Sequence, residues 1–264
     1  MKKIVFISSI TIISIALSAV FFRNNIRDFA LEWEKKGLPQ ETRIIPTKTP
    51  VKSPLISPSV SVEKTRGINL AVPFMPQAPF GNWKLPYQEA CEETSAILVD
   101  KFYKNEPITA EAAKNEILKL VEWQKQRFGY YFHTTAGETA TILKQYFGYK
   151  RVDVLRDITI DEIKSHLLAG RPVIVPLAGR MLDNPYYTQP VPIYHMLVIK
   201  GFTKDGKFIT NDVGTKRGQN YAYDEKALFN AIHDAPTGGD GWAVDNVEEY
   251  VKTGKKAIVI VYPN

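Results

Sequence analysis

Cysteine occurs once in the 264 residues, at Cys91, so no intrachain disulfide can form in any compartment. No dense block of Lys and Arg interleaves with aromatic residues, and the formal net charge is a mild +6. A nucleic-acid partner is therefore not expected. That charge is compatible with an anionic surface, such as a membrane or a cell-wall polymer, without indicating one. HExxH and CxxC are both missing, so neither common zinc signature is present and no metal or cofactor is expected. A GxSxG nucleophile elbow and a GxxxxGK[ST] phosphate loop are absent too. There is no internal repeat. What remains is ordinary globular material, with 44% hydrophobic and 23% charged residues, enough to bury a core.

Charge is also lacking from Ile4 to Phe22, nineteen consecutive residues that are apolar or small and hydroxyl-bearing. As a helix this run would be roughly 28 Å long, close to the thickness of a bilayer core. Lys2 and Lys3 precede it, so the amino terminus is expected to stay cytoplasmic and the body to cross. A cleaved signal peptide usually has a shorter apolar region and a small-x-small site. Here the run ends Ala19-Val20-Phe21-Phe22-Arg23, and its length favours an uncleaved anchor over residues 1–23. Either way the body lies outside the cytoplasm: held at the cell membrane by a single pass, or secreted if the segment is removed.

Residues 24–66 read as a juxtamembrane helix followed by a linker. Ile26, Phe29, Ala30 and Trp33 share one helical face, and prolines then recur among Thr, Ser and Lys from Pro39 to Pro58. The globular domain is expected from Gly67 to Asn264. Helical signals cluster in its first half: Glu89–Tyr103, then Thr109–Phe128 with Thr109 as N-cap, then Thr135–Phe147 with Thr135 and Glu138 spaced as a capping box. Thr159–Ala169 carries a second capping box in Thr159 and Glu162. Ile68–Phe74 reads as a first strand. Arg151–Leu155 reads as a short strand, and further β-branched runs follow at Pro172–Ala178, Tyr194–Phe202, Lys207–Val213 and Lys256–Tyr262, with a helix over Tyr223–Ile232 among them. The predicted class is α+β, with helices on one face of an antiparallel sheet.

Cys91 stands where a Pro-containing loop gives way to the first of these helices, and Gln77 lies fourteen positions upstream. A nucleophilic thiol needs a lowered pKa, which a helix N-terminus and a nearby imidazolium both favour. A small buried hydrophobe is the equally good alternative. Of the four histidines, His166 sits mid-helix on a face that reads as solvated, His133 lies among aromatics in a loop, and His233 follows a helix. His195 opens an apolar strand, and Asp212 ends the next one seventeen residues later, so a hairpin would bring the two together. The consecutive Glu92 and Glu93 read as the acidic preference of a first helical turn.

The phrases VPFMPQ, YQEACEETSA, YHMLVIKGF and ITNDVG, in this order and spacing over residues 68–214, resemble papain-fold cysteine peptidases. They are closest to the bacteriocin-processing, double-glycine type and its stand-alone relatives. The resemblance implies a papain-like fold, Cys91 as nucleophile, His195 as general base and acid, Asp212 as its orienting carboxylate, and Gln77 as an oxyanion-hole donor. Many relatives have Asp-Pro where this chain has Asp212-Val213. No ATPase accompanies the domain, so transport is not implied.

The expected function is peptide-bond hydrolysis by a membrane-anchored, extracytoplasmic cysteine peptidase acting as a monomer on a peptide or protein substrate. A cell-wall amidase or acyl transferase with the same triad, and a non-catalytic binding module of the same fold, are the alternatives. The loop Met181–Pro192, just before His195, is the candidate for substrate selection or else an ordinary surface connection.

Overall fold

A computed structural model describes residues 22–44, 67–239, 242 and 244–264. The expected membrane span, Ile4–Phe22, falls outside these except for Phe22. Among the described residues no helix is long and apolar enough to cross a membrane. The chain divides into two compact units, Met1–Leu38 and Pro39–Asn264. In the first, residues 22–36 form helix α1, and the Phe29 and Trp33 rings stack 6.5 Å apart, one turn from each other.

The second unit is built around an antiparallel sheet of seven strands. Their ranges are β1 Ile68–Asn69, β2 Val152–Arg156, β3 Val173–Ala178, β4 Tyr194–Phe202, β5 Lys207–Asn211, β6 Tyr221–Asp224 and β7 Ala257–Val261. They run in the order β2-β7-β3-β4-β5-β6, and β1 pairs with the far end of β4. All nine residues of β4 are buried, which matches a strand that is covered on both faces and paired along both edges. Helices α2 Cys91–Lys104, α3 Ala110–Phe128, α4 Ala136–Thr141 and α5 Ile160–Leu168 come before β3 in the chain, and only the short α6 Glu225–Ala231 and α7 Val247–Lys252 come late. This is the mixed arrangement of helices and antiparallel sheet that the sequence predicts.

Local chemistry accounts for most boundaries. Thr109 caps α3 by accepting from the Ala112 N–H. Thr135 with Glu138, and Thr159 with Glu162, form complete capping boxes for α4 and α5. The expected first strand is cut to two residues because beyond Leu70 the chain leaves β4: the Ala71 N–H donates to the Thr42 carbonyl and the Val72 N–H to the Leu70 carbonyl, and Pro73 has no N–H to pair. The expected helix over Tyr223–Ile232 begins two residues later than predicted. Tyr221–Asp224 is instead the edge strand β6, and Asp224 then caps α6 by accepting from Lys226 and Ala227 N–H groups.

Of the described part of the expected linker, residues 39–44 belong to the second unit. The Thr42 N–H donates to the Asn69 carbonyl at 2.7 Å and the Ala71 N–H donates to the Thr42 carbonyl at 2.9 Å, so the chain here runs beside Leu70 as a parallel bridge. Glu41 accepts from Nζ of Lys200, a fully buried lysine that also donates to Asn220 at 2.8 Å. The compact unit thus starts at Pro39 rather than at Gly67; residues 45–66 lie outside the description.

His166 corrects another expectation. It is buried, not solvated, and its Nδ1 accepts from Arg171 Nε at 3.2 Å. Burial, reinforced by the Arg171 charge, pushes its pKa from 6.5 down to about 4. The folded state therefore prefers the neutral ring, while the unfolded chain takes up a proton near the ordinary value. His166 contributes stability in full above about pH 6.5, and that contribution is lost as pH falls toward about 4. His166→Gln, which keeps an acceptor for Arg171, is expected to flatten this part of the thermal midpoint against pH. A wild-type midpoint that is already flat from pH 6.5 to 4 contradicts the assignment.

Gly201 marks a second constraint, since a Cβ there would lie 2.1 Å from the Ile68 carbonyl oxygen. Gly201→Ala must part β1 from β4 and is expected to cost about 1–3 kcal/mol, read as a lower urea midpoint with unchanged slope.

Candidate active site

Helix α2 starts at Cys91 immediately after a 3-10 turn over Tyr87–Glu89. Its N-cap is Ala90, which offers no side-chain acceptor, so tertiary contacts fix the start of this helix more than local capping does. One of these contacts is the hydroxyl of Ser95, which donates to the Met196 carbonyl at 3.3 Å. Cys91 lies one helical turn before Ser95 on the same face, and His195 precedes Met196 on β4. The seam between α2 and β4 therefore carries the thiol toward the imidazole. Cys91, His195 and Gln77 all line one cavity of about 440 Å3.

The hairpin works as the spacing predicts. In the β4–β5 register Val198 faces Asn211, and Asp212, the next residue, reaches back to His195. His195 Nε2 and Asp212 Oδ1 are 2.9 Å apart, and both side chains are essentially fully buried. Burial alone would raise the Asp212 pKa, but the His195 charge and hydrogen bond, with those of Tyr223 and Tyr187, outweigh it and leave it below 3.8. An ionised Asp212 can only accept, so the proton on that bond sits on Nε2. Nδ1 is then the nitrogen left free to take a proton from a nucleophile.

Three groups that sequence reasoning missed hold this carboxylate. The Tyr187 and Tyr223 hydroxyls donate to Oδ2 at 2.7 and 2.6 Å, and Asn184 Nδ2 donates to it at 3.1 Å. Asn184 and Tyr187 come from the Met181–Pro192 loop, whose later residues Thr188 to Pro192 line the cavity. The loop thus braces Asp212 at one end and walls the cavity at the other. Its run of Asn184, Tyr186 and Tyr187 was the available sign, though hydroxyls so far from Asp212 in sequence give no hint of their target.

Gln77 sits at the cavity, yet its amide group is spent elsewhere. Nε2 donates to the carbonyls of Tyr87 and Gln88 at 3.0 and 2.8 Å, while the buried Oε1 has no partner. In this state its two N–H groups serve the 3-10 turn ahead of Cys91, and donation to an oxyanion requires the amide to turn. The other histidines fall outside the pair. His133 lines the same cavity, stacked on Trp242 with ring centroids 4.1 Å apart; His233 Nδ1 meets the Gly254 carbonyl at 2.9 Å.

The electrostatics of the thiol reverse the expectation from its helix position. Burial raises the Cys91 pKa well above that of an ordinary thiol, and Glu92, Glu93 and Glu89 add to the rise. The Cys91 thiol donates to Glu92 Oε2 at 3.0 Å. Neither Glu92 nor Glu93 is a solvated first-turn acid: their exposures are 1% and 0%. Burial pushes the Glu92 pKa from 4.5 to about 8, and it raises that of Glu93 well above the usual range despite a hydrogen bond from Gln124. Among the described residues no three His, Cys, Asp or Glu side chains converge as a metal site would need.

Cys91 at the start of α2 and the strand-borne His195–Asp212 pair thus border one cavity in a domain of helices and antiparallel sheet. The chain matches the Peptidase_C39 like family over residues 69–236, well over half its length, and belongs to that family. It is similar in structure to a Bacillus anthracis protein assigned as a C39-like peptidase, with 16% identity, a TM-score of 0.44, and coverage of 72% of this chain and 94% of that one. It is also similar to a fragment of prointerpain A from Prevotella intermedia, with 18% identity, a TM-score of 0.36, and coverage of 57% and 41%. No curated protein matches the sequence.

Gly214 offers a test of the geometry, because a Cβ there would lie 2.9 Å from His195 Cε1 and 3.0 Å from Tyr187 Cε1. Gly214→Ala is expected to push the imidazole out of line and to lower peptide cleavage on the order of 10²-fold, with the circular dichroism spectrum unchanged. Unchanged cleavage would mean that the placement of the His195 ring does not govern the reaction.

Proposed function

We propose that this protein is a cysteine peptidase that hydrolyses peptide bonds, with Cys91 as nucleophile, His195 as general base and then acid, and Asp212 as the carboxylate that orients His195. One observation carries the reading. Cys91 and His195 line the same cavity, while Asp212 holds His195 by Nε2 and leaves Nδ1 for the thiol. Membership of the family adds its own support.

In the proposed cycle the thiol proton passes from Cys91 Sγ to His195 Nδ1, and the thiolate attacks the substrate carbonyl. The Cys91 backbone N–H, joined by Gln77 once its amide turns from the Tyr87 and Gln88 carbonyls, stabilises the oxyanion. His195 gives its proton to the leaving amine, and the acyl–sulfur bond remains. Water, deprotonated by the same Nδ1, then attacks that acyl group and restores the thiol. Asp212 moves no proton; it holds the imidazole in one tautomer and stabilises its charged form. Loss of one oxyanion donor typically costs about 10²–10³ in rate, so Gln77→Ala is expected to fall in that range. An N-terminal segment that holds the domain at the outer face of the cell membrane belongs to this proposal, carried by the uncharged run Ile4–Phe22.

The deciding experiment incubates the full-length chain with a mixed peptide library and reads new termini by mass spectrometry. Cleavage that disappears in Cys91→Ala and in His195→Ala is the expected result. Products that appear only when an added amine accepts the acyl group would mark an acyl transferase. Absence of cleavage, together with a Cys91 inert to thiol-directed electrophiles, would mark a binding module and end the peptidase reading.

A further inference from the structure

Neighbouring residues on a helix do not ordinarily face one another, yet Glu92 Oε2 sits 3.0 Å from Cys91 Sγ. This is closer than the sum of the sulfur and oxygen van der Waals radii. The other carboxyl oxygen, Oε1, is buried without a hydrogen-bond partner. The groups around this carboxyl are Glu89, Cys91 and Glu93 from its own segment, Tyr194 from β4, and the backbone at Thr134. None of them is a cation; of the two histidines on the same cavity, His195, which becomes charged in the proposed cycle, is paired with Asp212, and His133 lies 3.9 Å from Glu89.

An ionised Glu92 would be a buried carboxylate with no opposite charge beside it. Formation of the Cys91 thiolate would then set a second anion against it at hydrogen-bond distance, between two side chains that are both buried. Uncompensated charges of this kind are strongly disfavoured, and neutralisation is the usual outcome. A protonated Glu92 removes the conflict, because its O–H can turn toward the sulfur.

We infer that Glu92 acts as a protonated carboxyl which donates its O–H to the Cys91 thiolate, making it a positioning residue for the nucleophile. The inference rests on Cys91 being the nucleophile, as proposed above. The proton count is simple: the thiol proton goes to His195 Nδ1, and Glu92 keeps its own throughout. Only the direction of the 3.0 Å hydrogen bond reverses, from S–H donating to Oε2 to O–H donating to the thiolate. A pKa pushed up to about 8 by burial is consistent with a Glu92 that is neutral near pH 7, and Glu93 is raised in the same direction. The carboxylates that hold the Cys91 thiol pKa up are then largely discharged when the enzyme works, apart from the more accessible Glu89.

The test is the rate of Cys91 alkylation by iodoacetamide in the full-length protein, from about pH 5 to about pH 10. The wild-type rate is expected to rise, pass a maximum, and fall about tenfold as pH passes about 8 and Glu92 ionises beside the sulfur. An ordinary thiol does the opposite and gains reactivity up to and beyond about pH 8.5. The fall arises because the carboxylate formed at Glu92 drives the proton held on His195 Nδ1 back to the sulfur. Glu92→Gln, whose amide N–H can still donate, should keep the neutral rate within about threefold and abolish the alkaline fall. Glu92→Ala, with no donor, should lower the neutral rate at least about tenfold. Glu89→Gln should leave the alkaline fall in place.

A wild-type rate that climbs without a fall overturns the inference, and so do Gln and Ala variants that trace the wild-type profile. A fall abolished by Glu89→Gln assigns the effect to the wrong carboxyl and overturns it as well. If the Glu92 variants do not fold, the wild-type profile decides alone. A Cys91 that is inert at every pH overturns both this inference and the peptidase reading; a reactive Cys91 with unaltered variant profiles removes only the role of Glu92.

Discussion

Asp212 is an ionised carboxylate with no access to solvent, and the domain must be arranged so that it can stay ionised. A buried charge is tolerable only when it is paired and fully hydrogen-bonded. His195 and the Gly214 N–H serve Oδ1, while Tyr187, Tyr223 and Asn184 serve Oδ2. Those donors come from β4, from β6, from the turn after β5 and from the Met181–Pro192 loop. One atom pair therefore ties three parts of the sheet region to a loop that lines the cavity. Loosening any of these donors would change the depth at which the imidazole sits as well as its orientation.

The same few residues contain carboxyls with opposite fates. Asp212 is surrounded by donors and its pKa is lowered; Glu92 and Glu93 are buried with too few donors and their pKa values are raised. Burial is common to all three, so the number of hydrogen bonds and the nearness of a cation decide the charge. The helix N-terminus at Cys91 is too weak to compete with this. Its partial charge amounts to a fraction of a kcal/mol to about 1 kcal/mol in ordinary settings, whereas removing an ionised group from water costs several.

The class of fold was legible in the sequence because periodicity and capping are local. The capping boxes at Thr135 and Thr159 and the run of β4 stand where the residues place them. The His195–Asp212 contact was legible for the same reason, since a hairpin turns sequence spacing into distance. What the sequence hid depends on neighbours far along the chain. His166 and the Glu92–Glu93 pair look solvated by their own residue types and are buried by what packs over them. Tyr187 and Tyr223 carry no mark of a shared target, and β6 is too short and half-exposed to show an alternating pattern. Gln77 was found as a residue of the cavity, but the present donation of its amide to two backbone carbonyls could not be read from its position.

The seating of residues 39–44 changes what the Pro- and Lys-rich stretch can be. Thr42 is paired beside Leu70, and Pro39 lies against the position of Gly67. Both residues that flank 45–66 are thus fixed on the same body. The length of the connection between them therefore enters stability through the entropy of joining two fixed points, where a doubling costs only about 0.6 kcal/mol.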